Sequence, residues 1–249
     1  MLHAFSRTEM LIGTENLNKL KKSRVAVFGI GGVGTFVVEG LVRSAVGSFV
    51  LVDNDDICVT NINRQIHATT KTIGKSKVEV MKQRILEINP EAQVEIFHEL
   101  YNKDSAEKIL SKQYSYVVDA IDTVSAKLDL VERCYKMGIP IISSMGAGNK
   151  LNPTMLEVAD IYETSVCPLA RVIRTELRKR KIPKLKVVYS KEKPLIPLKI
   201  DEKQNINCTC FNKDKNCMDR RQIPGSVSFV PSVAGLIIAS EVVKDLIKK

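Results

Sequence analysis

The sequence predicts an α/β fold, a Rossmann-like, doubly wound and mostly parallel sheet with a C-terminal elaboration. Three observations carry this expectation. Short β-branched runs alternate with helical stretches through the first 150 residues, the order that builds a parallel sheet. The first run breaks into glycines and opens directly into an apolar helix. The acids Asp53 and Asp122 then fall at the carboxyl ends of predicted strands, where doubly wound sheets bind their ligands.

The predicted strands of this part are Val25–Gly29, Phe49–Asp53, Val94–Phe97, Tyr116–Ile121 and Ile139–Ser143. Helical stretches at Val33–Ser44, Ser76–Ile88, Ser105–Ser111 and Ser125–Met137 connect them. Asn89-Pro90 stops one helix and Gly138-Ile139-Pro140 another, because proline cannot continue a helix and glycine readily ends one. After Gly146-Ala147-Gly148 the pattern changes. Met155–Ile161 reads as a strand, Cys167–Lys181 as a basic helix, and Val187–Ser190 as a further strand. Residues 194–216 are polar and irregular, and a last helix begins near Pro231. With no internal repeat, residues 1–249 read as one domain, its first 150 residues binding nucleotide and 151–249 elaborating it.

Composition narrows the class. The chain has 249 residues and 44% apolar content, enough for a real core. The longest apolar stretch, residues 227–240, is interrupted by Pro231 and Gly235 and falls short of the roughly 20 residues that span a bilayer. The first residues lack the basic-then-apolar order of a signal peptide, so a cytoplasmic enzyme is expected. Three histidines, standing apart, make no triad or histidine-rich metal site.

The glycines carry the chemistry. Gly29, Gly31 and Gly34 make a GxGxxG spacing with Gly32 as an extra; a side chain there would block backbone approach to a phosphate, and the following helix presents its positive end. The motif alone fits NAD as well as ATP, and Asp53 could hold the ribose of either. Asn61-x-x-Arg64, Lys77 and Asp119-Ala120-Ile121-Asp122 separate the two. A cationic pair with a carboxylate suits ATP with magnesium (Mg2+), whereas a nicotinamide cofactor needs neither. An NAD-dependent oxidoreductase stays a remote alternative, disfavoured by Arg64 and Lys77 and by the lack of a recognisable acid–base pair for hydride transfer.

With GIGGVG, Asp53-Asn54-Asp55, Asn61-Ile62-Asn63-Arg64-Gln65, Gly74-x-x-Lys77 and Asp119-x-x-Asp122 in order, the chain resembles the ThiF/MoeB/HesA group of adenylating enzymes related to ubiquitin-activating enzyme. The resemblance runs from about Arg7 to Gly148. It implies that Asp53, beside Asp55, binds the ribose, that Asn61, Arg64 and Lys77 hold phosphates, and that Asp122 holds the magnesium. Arg7 fits the arginine that reaches into a neighbouring subunit's site, which implies a homodimer. Gly29, Gly31, Gly32 and Gly34 would cradle the nucleotide.

The second half points to one branch of that group. Members that activate ubiquitin-like sulfur carriers usually hold zinc through two CxxC pairs. Here Cys167-Pro168-Leu169-Ala170 lacks the second cysteine, and Cys208-Thr209-Cys210 with Cys217 has other spacing; free thiols in a loop are expected instead of a four-ligand zinc. Together with Asn61–His67, the stretches Pro168–Arg174, Glu176–Arg180, Val187–Ser190 and Pro224–Gly235 resemble the tRNA threonylcarbamoyladenosine dehydratases. That resemblance implies a tRNA substrate, adenylated on a carboxylate and then cyclised. Some relatives carry a cysteine just before the Gly-Ser segment, where this chain has Gln222-Ile223-Pro224, so a sulfur-transfer partner stays an open question. A MoeB- or ThiF-like enzyme acting on a carrier protein's C-terminus is the alternative.

Charge agrees with a polyanion. The chain is +10 overall, and residues 171–193 hold ten Lys/Arg against two acids, a local +8. A solvated surface usually mixes its signs, so Arg171, Arg174, Arg178, Lys179, Arg180 and Lys181 are expected to meet nucleic acid.

Overall fold

The computed structural model describes residues 3–198 and 224–248. Cys208, Cys210 and Cys217, and the metal or sulfur roles weighed for them, lie outside the described residues, as do Gln222 and Ile223.

A helix absent from the sequence expectation, α1 (Ser6–Lys22), precedes the sheet. Its residues are largely polar, only Leu17 and Leu20 are buried, and Gly13 interrupts it at φ 81°. So weak an apolar stripe gives little periodic signal. Then follow β1 (Arg24–Phe28), α2 (Gly34–Arg43), β2 (Ser48–Val52), α3 (Lys77–Ile88), β3 (Gln93–Phe97) and α4 (Ala106–Ile109). The chain continues through β4 (Tyr116–Asp119), α5 (Val124–Met137), β5 (Ile141–Ser144), β6 (Leu156–Asp160), α6 (Pro168–Lys179), β7 (Lys186–Ser190) and α7 (Phe229–Lys248).

Among the described residues seven strands form one sheet in the order β3-β2-β1-β4-β5-β7-β6. All neighbours are parallel except β6, which runs antiparallel to β7 with Val158 opposite Val188. The strand order reverses between β1 and β4, and a doubly wound sheet opens its ligand crevice at that switch. β4 stops at Asp119, two residues before its expected end, because the Asp119 carboxylate takes the Ile121 N–H at 3.1 Å and turns the chain out of the sheet.

Helices cover both faces, so the central strands are apolar runs without alternation. One core joins Val25, Val27, Phe49 and Leu51 to Val37, Val38 and Leu41 of α2, Met81 and Ile85 of α3, and Ile238 and Val242 of α7. The other face packs Ala26, Phe28, Val50 and Val117 against Ile109, Leu130 and Cys134. Each fully buried aliphatic side chain contributes about 1.5–3 kcal/mol. A third cluster, with Ile173 and Leu177 of α6 and Val187 of β7, seats the basic helix beside α5. The helix ends agree with the sequence punctuation: Gly138 closes α5 in the left-handed region, φ 70°.

Candidate active site

The glycine turn joins β1 to α2 at the switch point. Gly29 has φ 89°, and a Cβ there would stand 2.6 Å from the Ala120 carbonyl oxygen. A Cβ on Gly34 would stand 1.8 Å from the Gly29 oxygen. The turn therefore packs backbone against backbone, and β4's exit lies directly against it. Among the described residues no side chain caps the amino end of α2, and such an uncapped helix start suits an anion.

Three side chains hold the turn from behind. Asp53 Oδ2 accepts the Ile30 N–H at 2.6 Å, and Oδ1 accepts the Asp55 N–H at 2.9 Å. Asp53, just after β2, thus shapes the glycine turn. Burial pushes its carboxyl up, against the opposing pull of Lys77. His67 Nε2 donates to the Ile30 carbonyl at 3.1 Å. Its burial lowers the imidazole pKa to about 4, so the ring is neutral near pH 7, and its Nδ1 has no hydrogen-bond partner among the described residues. Thr35 Oγ1 donates to the Gly31 carbonyl at 2.7 Å. The sequence reading leaves His67 and Thr35 without a role; a histidine three residues past Arg64 was the available signal.

The cations come from the segment between β2 and α3. Lys77 opens α3, is only 5% exposed, and donates from Nζ to Asp55 Oδ2 at 2.7 Å, with Asp53 Oδ1 at 3.9 Å. Asn61 is buried and spends its Oδ1 on the Cys58 N–H at 3.0 Å, which fixes the turn carrying Arg64. Arg64 Nη1 donates to the Thr60 carbonyl at 2.8 Å and to Asn63 Oδ1 at 2.9 Å. Arg64 also stands over the glycine turn, since a Cβ on Gly32 would come within 3.3 Å of its Cγ.

The two acids of Asp119-x-x-Asp122 separate. Asp119 is wholly buried and pairs with Lys127 Nζ at 2.7 Å and with the Ser143 hydroxyl, so it is structural. Asp122 is exposed, and its Oδ1 receives the Thr123 hydroxyl at 3.3 Å. Among the described residues no three His, Cys, Asp or Glu side chains cluster as a metal cage.

Arg7 lies apart from this constellation. It occupies the first turn of α1, exposed, ahead of the break at Gly13. The basic segment is also apart, on α6 and the turn after it. Arg174 Nη1 is spent on the Thr164 carbonyl and hydroxyl, both at 2.7 Å. Lys179 pairs with Glu176, and Arg180 with Glu176 and Glu132. The Arg178 guanidinium stacks 5.3 Å from the Tyr162 ring centre. Arg171, Lys181 and Lys184 are exposed. No helix among the described residues is long and apolar enough to cross a membrane.

A glycine turn at a helix start, a buried acid at the end of β2, two cations and an exposed acid gathered at the switch point can bind a nucleoside triphosphate and stabilise charge at its phosphates. Known proteins agree with that chemistry. The chain is 46% identical to a tRNA threonylcarbamoyladenosine dehydratase of Bacillus subtilis over 249 residues, covering all of this chain and 96% of the relative. The Escherichia coli protein of the same name is 35% identical over 257 residues, covering 98% and 94%. A crystal structure of that Escherichia coli enzyme in complex with ATP superposes with TM-score 0.84 at 32% identity, over 98% of this chain and 93% of that one. The AMP complex gives 0.85, with 98% and 94% covered. The family model described as ThiF family matches residues 5–249, and the chain belongs to the ThiF family.

Proposed function

We propose that the protein is an ATP-dependent dehydratase acting on threonylcarbamoyladenosine in tRNA, as a single adenylating domain. The observation that carries this reading is the meeting of Gly29–Gly34, Asp53, Arg64, Lys77 and Asp122 at the β1/β4 switch, in a chain similar to such dehydratases along its whole length.

In the proposed reaction the carboxylate of the modified adenosine attacks the α-phosphorus of ATP. The bond to the bridging oxygen breaks, and pyrophosphate leaves. The substrate's own carbamoyl group then attacks the activated carbonyl and expels AMP, which closes a ring. The net change is loss of one water from the tRNA for one ATP cleaved. Because the second nucleophile belongs to the substrate, no protein thiol or histidine base is needed, and the protein's work is positioning and charge stabilisation. Arg64 and the α2 amino end meet phosphate oxygens. Lys77, held by Asp55 and Asp53 at 2.7 and 3.9 Å, exchanges that pairing for phosphate, and Asp53 keeps the turn and the ribose in register.

Magnesium fits this site as a phosphate-held ion: one exposed carboxylate, Asp122, with the triphosphate and water completing the shell, as magnesium commonly binds. Bound there, it would neutralise charge on the departing pyrophosphate.

The same reading includes a homodimer. Arg7 sits on an arm hinged at Gly13, and Met10 and Leu11 on that arm are 82% and 88% exposed. An apolar pair so exposed suits a surface covered by a second copy, which would carry Arg7 toward the neighbouring crevice. Arg171, Arg178, Lys181 and Lys184 form the face offered to the tRNA backbone. A cytoplasmic location is part of the same reading.

The test is mass spectrometry of nucleosides from threonylcarbamoyladenosine-containing tRNA after incubation with protein and ATP. The expected result is a nucleoside lighter by one water, formed with AMP. Unchanged tRNA, together with pyrophosphate exchange driven by a ubiquitin-like carrier protein, would overturn the reading in favour of carrier activation.

A further inference from the structure

The loop after β5 and the approach to α7 meet at Asn149. This residue holds a left-handed backbone, φ 58°. Its N–H donates to the Gly225 carbonyl at 2.7 Å, and its Oδ1 accepts the Gly225 N–H at 2.6 Å. Its own carbonyl accepts the Leu195 N–H at 2.8 Å. One residue further, the Ser226 carbonyl accepts from Asn63 Nδ2 at 2.9 Å, and Asn63 Oδ1 accepts from Arg64 Nη1 at 2.9 Å. A line of hydrogen bonds therefore runs from Asn149 through Gly225, Ser226 and Asn63 to the Arg64 guanidinium.

Asn63 is exposed, so its amide is not placed by packing. Both ends of that amide are engaged, donor to Ser226 and acceptor from Arg64, and turning it over would break both bonds. Pro231, five residues beyond Ser226, stands with Arg64 over the glycine turn: a Cβ on Gly32 would lie 3.3 Å from each. The Ser226 turn thus reaches Arg64 through Asn63, while Pro231, in the first turn of α7, borders the same glycine as Arg64.

We propose that Asn63 and Asn149 are positioning residues for the nucleotide site, which make the setting of Arg64 depend on the Gly225–Ser226 turn. The inference rests on the adenylating reading, in which Arg64 meets a phosphate. An arginine side chain loses rotamer freedom when it is fixed on a ligand. Holding it beforehand removes part of that cost and strengthens binding.

ATP affinity of the full chain, measured by calorimetry, tests this in a cycle with Arg64→Ala. Asn63→Ala is expected to weaken ATP binding about two- to tenfold, as for loss of one ordinary, solvent-exposed hydrogen bond. It should cause no further loss when Arg64 is already alanine. Asn149→Gly preserves the left-handed backbone and removes only the Oδ1 contact, so it should weaken binding in the same direction. Asn149→Asp keeps an acceptor at that place and should bind ATP as the parent does. Equal losses with and without Arg64 would overturn the proposal, because the asparagines would then act on the fold and not through the guanidinium. Parent-like affinity of Asn63→Ala, with Arg64→Ala weakened, would overturn it alone. Parent-like affinity of Arg64→Ala would remove the phosphate role of Arg64 and the proposal with it.

Discussion

Lys127→Met should be the most damaging single exchange of a polar side chain outside the nucleotide crevice. Lys127 and Asp119 have side chains that are 0% exposed, 2.7 Å apart. The ammonium also donates to the Ser143 hydroxyl at 3.2 Å and the Ser144 carbonyl at 3.0 Å, so it ties β4 to β5. Methionine has nearly the same length and fills the space, which limits the cavity cost. What remains is a buried Asp119 that keeps the Ile121 N–H and the Ser143 hydroxyl but has lost its cation. Breaking one side of a buried pair typically costs about 3–5 kcal/mol, whereas removing both charges is often nearly neutral. Urea unfolding at pH 7 and fixed protein concentration measures this. Lys127→Met should lose about 3–5 kcal/mol. Combining it with Asp119→Asn, which keeps an acceptor for Ile121, should recover most of the loss. A single variant within about 1 kcal/mol of the parent, the scale of an exposed pair, would refute the charge argument. A double variant as unstable as the single would refute it too, and would point to packing instead.

Arg64→Ala should abolish pyrophosphate exchange with parent-like circular dichroism; Lys77→Ala should do the same but also lower stability, because Asp53 is left buried without its nearest cation. Mixed Arg7→Ala and Asp122→Ala chains, each inactive alone, should regain activity if sites are shared between two copies; a monomer by light scattering would contradict this. Neutralising Arg171, Arg178, Lys181 and Lys184 should weaken tRNA binding with ATP affinity unchanged, and flatten the salt dependence by roughly 0.7–0.9 per lost phosphate contact; parent-like binding across a salt titration would remove this face from the proposal. Arg174→Ala should instead cost stability, since its guanidinium is spent on Thr164. His67 titrates near 4 in the folded chain and near 6.5 unfolded, so the unfolded state binds the extra proton between those values and stability falls as pH drops through them. The loss is at most about 3–4 kcal/mol, and it should be missing from the stability–pH profile of His67→Gln and so appear in the difference between parent and variant; a variant profile identical to the parent's would sink the assignment.

The sequence by itself determined the half of the protein whose signals are local. A β-branched strand that breaks into glycines can do little else than turn tightly into a helix, so Gly29–Gly34, Asp53 and the parallel order around them were legible. Arg64 and Lys77 were visible as a cationic pair following the glycine turn, and the phosphate roles proposed for them and for Asn61 came from the resemblance to adenylating enzymes. Tertiary structure decided everything that depends on partners distant in the chain. α1 was missed because its polar residues and Gly13 give almost no periodicity, and it is held by Leu17 and Leu20 against the rest of the core. The two acids of Asp119-x-x-Asp122 look alike in sequence, yet Lys127 draws one into the interior and leaves the other exposed. Ten basic residues look alike over residues 171–193, but Thr164, Glu176 and Glu132 engage three of them. Asn63 and Ser226 are 163 residues apart, and no local pattern relates them. Local backbone preference and residue chemistry are written along the chain, whereas which charges are neutralised and which donors are spent is fixed only when the sheet brings distant segments together.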